Sequence, residues 1–252
     1  MPLGPAIEKF IRRRVPVLYN PLLAVYQRLF DTDTFRLRRH LRDTMNKLMS
    51  SDQTPVFVQV GSNDGFSNDP FCEWVVTSNC DAYLFEPVPT VFSSLVANYG
   101  ARLRGPDLNR IRFINAAVTD GDHGLKFYSV SERAKIELGK NLPDWWDQLG
   151  SFDRSHIEKH LDGVLTPFII QTDVPTRSLS SLVREEALTH IDILHIDAEG
   201  HDFRVLSSLD FGVIRPRMIL IEHKHLSDDD GRSMRELLTS NGYTLRFFKS
   251  DL

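Results

Sequence analysis

The chain has 252 residues, 41% hydrophobic and 25% charged, with a net charge of −4. Such a length can bury a sizeable core in one large domain or a domain with an extension, and the composition excludes disordered and fibrous classes. Cys72 and Cys80 are too few for a disulfide framework and lack metal-ligand spacing, no apolar run approaches a membrane span, and residues 1–20 lack the apolar middle of a signal peptide. A soluble cytoplasmic protein is expected, and no nucleic-acid partner. The charge is uneven: residues 1–50 hold ten Lys/Arg against four Asp/Glu, and the remainder twenty against thirty.

Residues 6–48 read as helices broken by Pro16 and Pro21, with apolar stripes at Ile7, Phe10 and Ile11, at Leu22, Val25, Tyr26 and Leu29, and at Leu37, Leu41, Met45 and Leu48. This basic extension, residues 1–50, is expected to be a helical arm packed on the main domain. The competing reading is an amphipathic surface making peripheral contact with an acidic membrane.

From Val56 the texture changes to short apolar runs alternating with helical patterns, the signature of a parallel α/β sheet over residues 51–252. A first strand, residues 56–60, ends in Gly61-Ser62-Asn63-Asp64-Gly65. Glycine in such a loop supplies positive φ or close approach of the backbone to a ligand. A helix is predicted around 70–78, a strand over 82–85 ending in Glu86, and a helix over 91–99. One continuous strand is predicted over 111–118, followed by another over 125–128. Residues 130–167, with Trp145, Trp146, Asp153, His156 and His160, interrupt this rhythm, and long excursions of that kind are often functional lids. The rhythm resumes with a strand at 168–174, a helix at 179–187, strands at 191–197 and 217–222, a helix at 233–240 and a last run, 243–248, read as the penultimate strand of the fold.

The polar residues fall at the carboxyl ends of these strands: Gly61, Glu86, Asp197 and Glu222. In an open parallel sheet those ends share the edge where ligands bind. A carboxylate 25 residues beyond a glycine loop, ending the second strand, suits the two hydroxyls of a ribose. The loop lacks the G-x-G-x-x-G spacing of a dinucleotide site, which argues against an oxidoreductase.

In the order Val-Gly-Ser-Asn-Asp-Gly (60–65), Phe-Glu-Pro (85–87), Asn-Ala-Ala-Val (115–118), Ile-Asp-Ile-Leu-His-Ile-Asp-Ala-Glu-Gly-His-Asp (191–202) and Arg-Pro-Arg-Met-Ile-Leu-Ile-Glu-His (215–223), the chain resembles the FkbM-type methyltransferases over roughly residues 55–248. The resemblance implies a Rossmann-like class I methyltransferase fold: a mostly parallel, doubly wound α/β sheet, here with an N-terminal helical arm and a helical lid insertion. It implies S-adenosylmethionine as methyl donor and O-methylation of a sugar, glycan or polyketide-like hydroxyl. By position, the cofactor loop maps to Gly61, Ser62, Asn63, Asp64 and Gly65, the ribose carboxylate to Glu86, and the adenine-side segment to Ala116 and Ala117. The Asp-x-Glu-Gly element facing the methyl group maps to Asp197, Glu199 and Gly200. Gln59 stands where such enzymes commonly carry an acid, so one contact near the methionine end of the cofactor is expected to differ. Such folds usually finish with a hairpin, so the expectation is that Leu252 is a truncated end or that this member lacks the last strand.

Asp197, Glu199, His201, Glu222 and His225 cluster in sequence around two strand ends. Asp197 is expected to line the reacting centre, a role compatible with capping the helix that follows, and His201 and His225 are candidate bases for a hydroxyl proton. His195, inside an apolar strand, reads as a hydrogen-bonded core histidine. His156 and His160, four apart, share a helical face but lack an identified third ligand, so a divalent metal is conceivable without being predicted. Trp145 and Trp146 read as anchors for the lid, with the floor of a sugar-like pocket as the alternative. The same five strand-end residues could instead ligate Mn or Zn in a hydrolase, a reading that leaves the glycine loop and Glu86 without a task. A non-catalytic nucleotide-binding module is the remaining alternative.

Overall fold

The computed structural model describes residues 32–248 except 51, 68, 122, 123, 144, 145, 147 and 148. The first two helices expected in the arm, and Trp145, lie outside the described residues. The contacts divide the chain into two units at Lys47/Leu48. In the first, the expected third helix is present as α1 (Thr32–Met49). Among the described residues no helix is long and apolar enough to cross a membrane.

The second unit is built on five parallel strands: β1 (Val56–Val60), β2 (Asp81–Phe85), β3 (Ile111–Ile114), β9 (Ile193–Ile196) and β10 (Met218–Ile221), in the spatial order β10-β9-β1-β2-β3. Every residue of β1 and β9 is buried, as expected for strands covered on both faces. Alternation sorts their side chains. Val56, Val58, Val60, Leu194 and Ile196 enter one apolar cluster with Leu179, Val205, Leu206, Met234 and Leu238 of the flanking helices. Phe57 and His195 instead meet Phe71, and Phe57 also meets Trp74. His195 is the hydrogen-bonded core histidine that its surroundings suggested, its Nδ1 3.0 Å from Gln59 Nε2 across the β1–β9 register.

The helices begin where local chemistry lets them. Pro89 opens α3 (Pro89–Arg102), a position where a missing N–H costs nothing. Ser178 caps α7 (Leu179–Glu185), and Ser227 caps α9 (Asp228–Ser240), whose first turn holds Asp228, Asp229 and Asp230 at the positive end of the helix dipole. That cap starts α9 five residues earlier than its apolar pattern alone indicates. Among the described residues, the short α-helices α2 (Cys72–Thr77), α4 (Pro106–Asn109), α5 (Arg133–Leu138), α6 (Arg154–Glu158) and α8 (Asp202–Ser207) complete the set.

Three expectations are corrected. The strand predicted over 111–118 breaks after Ile114, because Asn115 Nδ2 donates to the carbonyls of Glu86 and Pro87 and turns the chain. β4 (Ala117–Val118) then pairs with β8 (Thr176–Arg177) in a separate two-stranded sheet. The strands predicted at 125–128 and 168–174 do not join the parallel sheet. They form β5 (Leu125–Val130) and β7 (Ile169–Val174), antiparallel neighbours in a three-stranded sheet with β6 (Gly150–Ser151). The insertion hangs between β5 and β7 and carries its own core of Val130, Ala134, Trp146, Leu149, Ile157, Leu165 and Phe168, with Trp146 the anchor its size suggested. Residues 243–248 form no strand. The Tyr243 hydroxyl donates to the Pro216 carbonyl at 2.6 Å and the His223 ring lies 3.2 Å from the Phe248 carbonyl, so the segment meets the flanks of β10 through side chains instead of a ladder.

The tightest joint lies at the carboxyl ends of β1 and β9. Gly61 has φ +78°, and a Cβ there would fall 1.8 Å from the Asp197 carbonyl oxygen. Gly61→Ala is therefore expected to cost at least ~3 kcal/mol in urea unfolding, from a left-handed backbone plus a clash with main chain that cannot yield. Gly100, inside α3 with open space around it, is the control: Gly100→Ala is expected to stabilise by ~0.5–1 kcal/mol.

Candidate functional site

A cavity of about 650 Å³, counting its open mouth, lies at the carboxyl edge of the parallel sheet. Gly61, Asn63, Glu86, Ala116, Ala117, Asp197 and Glu199 line it together with Phe127, Gly150 and Phe152. The break after β3 brings Ala116 and Ala117 to its wall, and the antiparallel sheet supplies Phe127, Gly150 and the neighbouring Phe152.

Not every loop residue faces the cavity. Ser62 is buried beneath it, its hydroxyl donating to the Gln59 carbonyl and its amide to the Phe85 carbonyl. Asp64 closes a turn by accepting from the amides of Phe66 and Ser67; partial burial raises its carboxyl, and these bonds with the Ser67 hydroxyl bring it below the ordinary value. Gly65, at φ +68°, would drive a Cβ into Leu95 and Tyr99. The close approaches that demand glycine at 61 and 65 are thus to protein, where the sequence suggested a ligand. Gln59 also turns from the cavity: its amide donates to Asp69 at 3.2 Å and meets His195.

Glu86 ties the loop to the sheet. One carboxylate oxygen accepts from the Asn63 amide at 3.0 Å and the other from the Val88 amide at 2.8 Å. Burial outweighs both bonds and pushes its pKa up to about 7. Each oxygen keeps a second lone pair, and the group lies on the cavity wall.

Beyond β9 the chain turns sharply. Asp202, 1% exposed, accepts from the Ala198 amide at 2.8 Å and the Gly200 amide at 2.9 Å. This holds Glu199 at φ +49° and Gly200 at φ +92°. The N-cap position of α8 falls to His201, so Asp197 does not cap that helix. Asp202 went unrecognised as a positioning residue in the sequence. The only signal was a carboxylate two residues past a glycine, which is common in turns.

Glu199 becomes the hub of a cluster. His156 Nε2, from α6, is 3.1 Å from Glu199 Oε2; His225 Nε2 is 3.6 Å from the same oxygen and 3.9 Å from Glu222 Oε2. The His156 and His225 rings are edge-on with centroids 5.0 Å apart, and His160 Nε2 lies 3.4 Å from His156 Nε2. α6 ends at Glu158, but Lys159 keeps helical backbone angles and the kink at Leu161 and Asp162 comes only after His160, so the two histidines of the insertion meet one turn apart on the same face. Asp153 serves as N-cap of α6, accepting from Ser155. His201 stands apart: its Nε2 lies 2.9 Å from the Thr119 hydroxyl, its ring packs on Phe152, and burial pushes its pKa down to about 4. The five strand-end residues therefore do not form one set.

The electrostatics of the cluster are strained. Burial first, then the carboxylates of Asp197, Glu199 and Asp202, push Glu222 up to about 8. Glu199 is raised by burial, but the His156 hydrogen bond and the neighbouring imidazoles bring it below its ordinary value. Burial holds His160 and His225 low. Glu222 Oε2 is buried without a hydrogen-bond partner.

An α/β protein with a ligand cavity at the carboxyl edge of a parallel sheet, and a His–carboxylate cluster at one end of that cavity, has the layout of a small-molecule enzyme. Residues 59–245 match the Methyltransferase FkbM domain, and the chain belongs to the FkbM methyltransferase family. It is also similar to the 2-O-methyltransferase NoeI of Sinorhizobium fredii (strain NBRC 101917 / NGR234), 22% identical over 219 residues that cover 83% of this chain and 79% of that protein. No solved structure matches.

The Asp202 turn carries a direct test. An amide at 202 can accept only one of the two backbone N–H bonds, so Asp202→Asn is expected to lower unfolding free energy by ~1–3 kcal/mol in chemical denaturation.

Proposed function

We propose that the protein transfers a methyl group from S-adenosylmethionine to a hydroxyl of a sugar, glycan or polyketide-like acceptor. One observation carries the reading: the glycine loop, the buried Glu86 carboxylate and the Asp197–Glu199 turn line a single cavity. The residues fit the donor. Glu86 keeps a free lone pair on each oxygen for two ribose hydroxyls, and the alanines at 116 and 117 leave room for a flat base. Asp197 and Glu199 put negative charge where a sulfonium would sit. The cofactor, when bound, supplies an electrophilic methyl on positively charged sulfur.

The chain has to hold the acceptor in line with that methyl, which removes most of the entropic part of the barrier, and to receive the hydroxyl proton. His156 is assigned the proton, with Glu199 orienting its ring at 3.1 Å. His201, committed to Thr119 and Phe152, is not used. The insertion thereby sets a base beside Glu199, which lines the cavity together with Phe152. The 2-O-methyltransferase among the chain's relatives supports oxygen as the acceptor atom.

Calorimetry with S-adenosylhomocysteine tests the reading. Saturable binding is expected, and no heat from folded protein would remove it. Glu86 predicts the pH dependence. Ribose hydroxyls donate to the ionised carboxylate, whose pKa in the free protein is about 7. Affinity should therefore rise with pH and level off above about 7, because below that value a proton must first be lost. Glu86→Gln is expected to weaken binding about tenfold at pH 8 and to abolish the slope. A slope unchanged in that variant would assign it to another group.

A further inference from the structure

We infer that Glu199, Glu222 and His225 form a binding site for one divalent transition cation, of the Mn²⁺ or Zn²⁺ type, at the acceptor end of the cavity. Each of the three offers one ligand atom, and those atoms lie within 4.8 Å of one another. The alternative is a self-contained ion-pair network, and two distances argue against it. His225 Nε2 stands 3.6 Å from Glu199 Oε2 and 3.9 Å from Glu222 Oε2. Both are too long for hydrogen bonds. Both suit donors that each sit about 2.0–2.2 Å from a common ion.

Glu222 supplies an independent observation. Its Oε2 is buried with no hydrogen-bond partner, and it faces the same imidazole as Glu199. A buried carboxylate oxygen without a donor is costly, and a cation supplies the missing charge. Two carboxylate oxygens and one imidazole form a mixed hard and borderline donor set, which suits Mn²⁺ or Zn²⁺ better than a thiophilic ion. The geometry is held from outside the site, since Asp202 fixes the turn that presents Glu199. His156, 3.1 Å from Glu199, orients that carboxylate from outside the coordination shell.

The site deepens the methyl-transfer reading and rests on it for its role. Glu199 belongs to both cavity and cluster. A cation there would take up one or two neighbouring oxygens of the acceptor and lower the pKa of the reacting hydroxyl. The hydroxyl proton passes to His156. The oxygen–carbon bond forms as the carbon–sulfur bond breaks, and that electron pair stays on sulfur, giving S-adenosylhomocysteine. The acceptor class this favours is a polyol with adjacent oxygens, such as a sugar ring.

Full-length protein stripped with EDTA is titrated calorimetrically with MnCl₂ and with ZnCl₂, and separately with S-adenosylhomocysteine. One cation per chain is expected, with affinity falling tenfold or more in Glu222→Gln and in His225→Gln. Absence of binding at millimolar cation, or unchanged affinity in both variants, overturns the site. If a variant fails to fold, X-ray absorption on Zn²⁺-loaded wild type decides. A shell of oxygen with one or two imidazoles supports the assignment, and an all-oxygen or sulfur-containing shell overturns it. Heat from S-adenosylhomocysteine without heat from either cation sinks the metal site alone. Heat from a cation without heat from S-adenosylhomocysteine sinks the methyl-transfer reading and leaves the metal site standing.

Discussion

The carbonyl of Asp197 occupies the space that any side chain on residue 61 would need. This contact sets how closely the ends of β1 and β9 approach, and the cavity follows from it. With β1 and β9 in register from Phe57↔Ile193 to Val60↔Ile196, the loop after one strand and the turn after the other are forced side by side. Glu86 then fastens the loop from the other flank through the Asn63 amide. The loop is thus held at both edges by main-chain geometry, and its own side chains serve mostly to fold it. A cavity wall of this kind is preorganised, which reduces the ordering cost of binding.

Charge is distributed against that rigid frame. Two carboxyl groups on separate elements, Glu86 and Glu222, are each pushed up by burial. They differ in their partners. Glu86 has two backbone donors and stands alone among neutral groups, whereas Glu222 has an orphaned oxygen and three acidic neighbours. The first arrangement suits a neutral polar ligand bearing hydroxyls. The second suits a cation. Environment alone separates one glutamate's chemistry from the other's, though both follow a hydrophobic strand in the sequence.

How much of this was legible depended on the range of the interactions. The parallel strands were readable because burial on both faces leaves unbroken apolar runs, and β1 was bounded by Pro55 and Gly61. The break at Asn115 was invisible, since it depends on carbonyls 28 and 29 residues away. The antiparallel pairing of β5 with β7 was likewise hidden, because alternation fixes which face a strand buries and says nothing of its partner. At the site, Glu86 and the Asp197–Glu199 pair were marked by position after strands. The encounter of His156 with Glu199 spans 43 residues and a kinked segment. His156 and His160 carried the signal of spacing, but the missing third partner came from another element. His201 had the spacing of a cluster member and was removed by a hydrogen bond to Thr119, 82 residues away.

The backbone at Glu199 has a consequence of its own. A left-handed conformation suits glycine or asparagine, and a long acidic side chain pays roughly 1 kcal/mol or more to adopt it. The fold alone would be better served by Gly-Gly at positions 199 and 200. A carboxylate there instead means that local stability and reactive geometry compete for one residue, with Asp202 as arbiter. Directed evolution for heat resistance would drift toward losing Glu199 unless function were selected at the same time.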